Sequence, residues 1–159
     1  MKNEHTVLYQ LTETSPFMMS FVVVTKQNNA IIIDGGMEAD MPLLKKYVGN
    51  RHVSAWILTH AHSDHIDGFV SEMRKNGGKD FDIEKIYYNF PPYSLIEKHD
   101  VPDYDYFKSE LDEMLPAFNE VLPLFRDKTH IVTQGESIQI DEVKIDFLFT
   151  YHPDLVANL

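Results

Sequence analysis

The sequence predicts an α/β layered domain built on a mixed sheet. Apolar runs at residues 5–11 and 17–25 read as an initial strand hairpin, and strand–helix–strand alternation follows from residue 30 to residue 88. Size agrees with one domain: 159 residues with 43% hydrophobic content are enough to bury a sizeable core.

Thr14-Ser15-Pro16 is the turn between the first two strands, the second of which runs through Phe21-Val22-Val23-Val24. Asn28-Asn29 turns the chain again, and Ala30-Ile31-Ile32-Ile33 is a third strand ending at Asp34-Gly35-Gly36. Residues 39–48 fit a short helix with Asp40 as N-cap and Pro42 in the first turn; Leu43, Leu44, Tyr47 and Val48 share one face. A buried strand over 53–59 leads to a turn rich in histidine. From about Asp64 to Lys75 a helix follows, stopped by Gly77-Gly78. Ile83–Tyr88 is the next strand, broken by Asn89-Phe90-Pro91-Pro92.

Residues 93–127 differ in kind. They are charged, aromatic and helical by pattern, with Tyr106, Phe107, Leu111, Met114, Leu115, Phe118 and Leu122 at helical spacing, and Pro116 and Pro123 are expected to kink or divide the helix. Strands at 129–133, 137–140 and 143–150 complete the chain, the last alternating as Val143, Ile145, Phe147 and Phe149.

Composition excludes several function classes. A formal charge of −11 disfavours broad, nonspecific nucleic-acid binding, although much of that charge lies in 97–127 and is expected to describe a peripheral segment. No apolar stretch is long enough to span a bilayer, and Met1-Lys2-Asn3-Glu4-His5 lacks the regions of a signal peptide, so a cytoplasmic location is expected. With no cysteine there is no disulfide, thiolate site or thiol nucleophile, and any metal must be held by nitrogen and oxygen.

The run His60-Ala61-His62-Ser63-Asp64-His65 supplies such donors: three imidazoles and a carboxylate around one turn. His60 and His62, two apart on extended backbone, project to the same side. Asp64 and His65 lie where the chain enters a helix, so a second pair can converge from another direction. The helix N-terminus favours an ionised Asp64 and disfavours an imidazolium at His65, leaving both in the protonation state that binds metal. Asp64 also fits an N-cap, with Asp67 at N3.

This run, after Trp56-Ile57-Leu58-Thr59 and before Ile66-Asp67-Gly68, resembles the signature of the metallo-β-lactamase superfamily, and Ile31-Ile32-Ile33-Asp34-Gly35-Gly36 is similar to that family's earlier strand-end aspartate motif. The resemblance covers about residues 5–90 and, more loosely, 129–153; it makes 93–127 a helical insertion. It implies an αβ/βα sandwich, of which this chain would hold mainly the N-terminal half, as a single domain over 1–159 that is truncated at its C-terminus. By the same resemblance His60 and His62 bind one metal, Asp64 and His65 a second, and two zinc ions are expected, with Mn or Fe as substitutes. Asp34 becomes a supporting residue that steadies the histidine loop. Asp67 stands where the family often has glycine. His152, in Thr150-Tyr151-His152-Pro153, is the candidate for the third histidine motif, without that motif's usual glycine. His5, His52, His99 and His130 are expected to be structural or at the surface. The bridging Asp and last His of the family's second half have no counterpart here. Among branches, the hydrolase domain of DNA-uptake competence proteins looks most similar.

The implied activity is hydrolysis of an ester, amide or phosphodiester bond in a small-molecule or phosphodiester substrate, by hydroxide activated between two metals, with Asp64 orienting the nucleophile. Tyr87, Tyr88, Phe90, Tyr93, Tyr104, Tyr106 and Phe107 are candidates for a substrate wall, or for ordinary packing. A different class of function is a non-catalytic metal-binding or interaction module, pairing into a homodimer through an exposed sheet edge. Iron redox chemistry on the same scaffold ranks last, since no flavin or rubredoxin-like segment is visible.

Overall fold

The fold was described from a computed structural model covering residues 2–11, 18–96 and 105–152. Three antiparallel or parallel pairings start the main sheet: β1 (Val7–Gln10) and β2 (Phe21–Val24) are antiparallel, β2 and β3 (Ala30–Ile33) are antiparallel, and β3 runs parallel to β4 (His52–Ile57). Between β3 and β4 lies helix α1 (Met41–Val48), and after β4 comes α2 (Ser63–Asn76). Two short strands, β5 (Asp82–Ile83) and β6 (Ile86–Tyr88), both pair with β4 in parallel. Next come α3 (Tyr93–Ile96) and α4 (Asp105–Val121), and then β7 (Thr129–Ile131), which is parallel to β6. A separate antiparallel hairpin, β8 (Ser137–Ile140) and β9 (Val143–Asp146), ends the described chain. The order across the main sheet is β1-β2-β3-β4-β6-β7. This is the mixed sheet that the sequence predicts.

Alternation along the strands sends side chains to two cores. Val22, Val24, Ala30, Ile32, Val53 and Trp56 face the helical layer, where they meet Leu44 of α1, Phe69 and Met73 of α2, and Leu115 and Phe118 of α4. Ile31, Ala55 and Ile57 face the other way, against Ile138, Ile140, Val143, Ile145 and Phe147 of the hairpin. The hairpin turn is pinned to the β2–β3 turn, because Thr25 Oγ1 (2.6 Å) and Asn29 Nδ2 (3.0 Å) both donate to Asp141 Oδ2. Helices, sheet and hairpin thus form three layers.

Several expectations are corrected. The described part of the charged segment, residues 105–127, is not merely peripheral: Met114, Leu115, Ala117, Phe118 and Val121 are buried in the main core. Pro116 does not divide α4, which is continuous over Asp105–Val121. Pro removes one helix hydrogen bond, but the core contacts of Leu115 and Phe118 on either side hold the two turns together. Pro123 does lie beyond the helix, in the 3₁₀ turn Leu122–Leu124. Strand β9 stops at Asp146 rather than running to 150, because its partner β8 begins at Ser137, opposite Asp146. Leu148 and Phe149 are exposed. Tyr104 and His99 lie outside the described residues. Among the described residues no helix is long and apolar enough to cross a membrane.

The parallel strands β3, β4, β6 and β7 all finish at one edge of the sheet. Asp34, Thr59 to His65, Asn89 to Pro91 and Val132 follow those ends directly. In open α/β sheets this carboxyl edge is where loops converge on ligands.

Candidate metal centre

The histidine run occupies the loop between β4 and α2. His62 is the N-cap of α2, with extended backbone, and Asp64 lies in the first turn. The expectation of Asp64 as N-cap with Asp67 at N3 is therefore shifted by two residues. Asp67 instead accepts the Glu38 N–H through Oδ2 at 2.8 Å, tying α2 to the turn before α1.

Backbone contacts fix the loop against the end of β3. Gly35 N–H donates to His65 O (2.7 Å), Gly68 N–H to Gly36 O (2.8 Å), and Met19 N–H to Asp64 O (3.0 Å). This approach needs glycine at position 68, where an added Cβ would stand 2.8 Å from Gly35 O and 3.0 Å from Met37 O. Asp34 itself has φ +57, the left-handed region that Asp tolerates better than most residues.

Asp34 organises the side chains. It is buried, and its carboxylate accepts the Thr59 N–H at Oδ1 (2.8 Å) and the Thr59 hydroxyl at Oδ2 (2.8 Å). Its Oδ2 also lies 2.7 Å from Nδ1 of His65. A carboxylate can only accept, so the proton sits on His65 Nδ1 and the lone pair on Nε2. The Thr59 hydroxyl, having given its one proton to Asp34, accepts from Nδ1 of His60 at 3.1 Å. That leaves Nε2 of His60 with its lone pair as well. One buried carboxylate and one hydroxyl thus set both imidazoles in a tautomer that presents the Nε2 lone pair to a metal.

The three rings lie side by side: centroids are 3.8 Å apart for His60 and His65, and 4.6 Å apart for His60 and His62. Burial, then the neighbouring His65 and His62, pushes the His60 imidazolium down to about 4. Burial also lowers His62, partly offset by the Asp64 and Glu110 carboxylates. Asp64 is 27% exposed, with Oδ2 3.6 Å from Nε2 of His65. Neutral imidazoles and a carboxylate, with no thiolate, suit a first-row divalent ion. Among the described residues, no three or more His, Asp or Glu side chains converge on one ligating point. The rings pack against one another instead.

His152 is exposed and follows Thr150 and Tyr151, which line the same cavity as His60 and His62. That cavity, of about 490 Å³, is walled by Tyr87, Phe90, Leu111, Val132 and Phe147, so part of the aromatic group faces the centre. Tyr88 instead packs on Phe118 in the core. Among the described residues, no Lys or Arg side chain lines it. Elsewhere, His52 lies between Asp82 (2.8 Å) and Glu84 (2.9 Å), and His130 contacts Glu136 (2.6 Å), as surface histidines do.

Two contributors escape a reading of the sequence. Thr59 immediately precedes the run, and its place at the strand end is the only signal it offers. Glu110, on α4, accepts the Ser63 N–H through Oε2 at 3.0 Å across 47 residues of chain, and nothing in the sequence marks it.

A family model described as the metallo-beta-lactamase superfamily matches residues 16–153. No curated protein sequence matches the chain. Among solved structures, AidC, a dizinc quorum-quenching lactonase in complex with a product, is similar at TM-score 0.51 and 18% identity, over 80% of this chain and 54% of AidC. A metallo-beta-lactamase from Staphylococcus aureus subsp. aureus COL is similar at TM-score 0.50 and 16% identity, over 91% of this chain and 34% of that one. The chain therefore spans about half, or a third, of the length of these structures.

Proposed function

The chain belongs to the metallo-β-lactamase superfamily, and from that membership we propose that it carries the metal-holding residues of a metal-dependent hydrolase. The observation that carries this reading is the Asp34–Thr59 arrangement, which sets His60 and His65 in one tautomer with both Nε2 atoms available. Ordinary surface histidines have no need of a buried carboxylate to orient them.

In this reading His60, His62, Asp64 and His65 hold the metal, with His152 as the contributor from the later loop. A bound divalent ion supplies Lewis acidity and makes water acidic enough to attack at neutral pH. The chain's own residues do the rest. Asp34 keeps the proton on Nδ1 of His65, and Thr59 does the same for His60. Asp64 orients the attacking water. Tyr87, Phe90 and Phe147 exclude bulk water on one side and pack the substrate beside its ester, amide or phosphodiester bond. Zinc is the first ion to test, since a dizinc lactonase shares the fold.

The experiment is metal analysis of the purified chain together with turnover of one neutral ester reporter and one phosphodiester reporter. Roughly one or two zinc ions per chain with turnover of either reporter supports the proposal. Metal binding without turnover of any reporter would favour the non-catalytic module.

A further inference from the structure

The first N–H groups of a helix have no partner within it, and an N-cap side chain normally accepts one of them. In α2 the N-cap is His62, whose side chain makes no capping hydrogen bond. The acceptor comes from elsewhere: Glu110 Oε2 takes the Ser63 N–H at 3.0 Å. It reaches there because α4 lies alongside α2 in the same direction. Ten residues further along α4, Glu120 accepts from Arg74 near the C-terminal end of α2 at 2.6 Å. Between these two ties, Phe118 packs against Phe69, and Leu111, the residue after Glu110, lines the cavity that His60 and His62 also line.

We propose that Glu110 is a positioning residue for the metal-holding turn: by capping α2 from a second helix, it lets the N-cap position carry a ligand histidine. This rests on the metal-dependent reading above. A carboxylate is suited to the task, since it meets both the orphan N–H and the positive end of the helix dipole. An N-cap Ser or Asp would reach only the next N–H groups, of Asp64 and His65, and would remove His62 from the run. Helix α4 is then part of the centre's construction, holding the turn in place.

The test uses the whole chain and two variants. Glu110→Gln keeps an acceptor for the Ser63 N–H but loses the charge; Glu110→Ala loses both. In the metal-free chain, amide exchange at Ser63 is expected to speed up in Glu110→Ala and to be largely restored in Glu110→Gln. Zinc affinity, measured by chelator competition, is expected to fall about tenfold in Glu110→Ala, the low end of what losing a partner of a metal ligand costs, and by less in Glu110→Gln. The visible absorption of the cobalt(II)-loaded protein is expected to shift in Glu110→Gln while its metal-free melting temperature stays at the wild-type value. Unchanged Ser63 exchange in Glu110→Ala overturns the cap itself. Normal zinc affinity in both variants, with the cap lost, overturns the positioning role. A wild-type chain that binds no zinc overturns the metal reading, and the positioning role with it, while the exchange measurement still reports on the cap.

Discussion

Nδ1 of His65 lies 2.7 Å from Oδ2 of Asp34, a contact that joins the end of β3 to the first turn of α2 across 31 residues. Replacing Asp34 therefore acts on the centre and on the fold. Asp34→Asn keeps the left-handed backbone but weakens the hold on His65, and is expected to lower zinc affinity about tenfold or more by chelator competition. Asp34→Ala leaves the exposed Thr59 and half-buried His65 donors without their buried acceptor, and is expected to cost about 1–3 kcal/mol in urea unfolding.

Gly68 is a second point of contact between the same two elements. Gly68→Ala places a methyl group 2.8 Å from Gly35 O and 2.8 Å from Met41 Sδ. The helix must move away from the strand end, at an expected cost of about 1–3 kcal/mol. Urea unfolding of the metal-free chain measures it, and zinc affinity is expected to fall as well, since the displaced helix carries Asp64 and His65.

Lys45 Nζ lies 2.8 Å from Glu72 Oε2 and 2.5 Å from Asp80 Oδ2, and Glu72 is buried at 2% exposure. The other oxygen of Glu72 has no hydrogen-bond partner among the described residues. Lys45→Met would leave a buried carboxylate uncompensated, with an expected loss of about 3 kcal/mol. Glu72→Gln in the same background is expected to recover most of it, which a double-mutant cycle by denaturant unfolding would show.

The pH dependence has two opposite parts. Hydrogen bonds from Glu84 and then Asp82 raise His52 above its usual value of 6.5, so its contribution to stability is present below that value and is lost as pH rises through the higher folded value. The side chain is 38% exposed, which keeps the effect below about 1 kcal/mol. His60 acts in the other direction. Its value is lowered to about 4, so the unfolded chain takes up the proton first and stability falls as pH drops from 6.5 toward 4. An NMR titration of the metal-free chain is expected to show the His60 ring changing charge near pH 4, while His52→Gln flattens only the alkaline side of the stability profile.

Local signals explain what the sequence made legible. The Ile31–Ile33 run ending in Asp-Gly-Gly, and the histidines following an apolar strand, mark the two loops that meet at the centre, because strand ends and turns are written in neighbouring residues. Contacts between distant residues leave no such mark. Glu110 looks like any charged residue on an amphipathic helix, yet the packing of α4 on α2 brings it to Ser63. The alternation to Phe149 predicts a strand through residue 150, but a strand lasts only as far as its partner, and beyond the Ser137–Asp146 pair only Phe147 still bonds back, to Gly135 and Glu136. Likewise Pro116 reads as a helix breaker in isolation, and the core on either side of it decides otherwise.

Zinc content of the wild-type chain beside the double variant His60→Ala, His62→Ala tests the central claim most directly. Roughly one or two zinc ions per chain in the wild type, reduced by at least half in the double variant while circular dichroism is unchanged, is the expected result. Equal zinc content in the two proteins, or none in the wild type at neutral pH, would contradict the assignment of this turn as a metal centre.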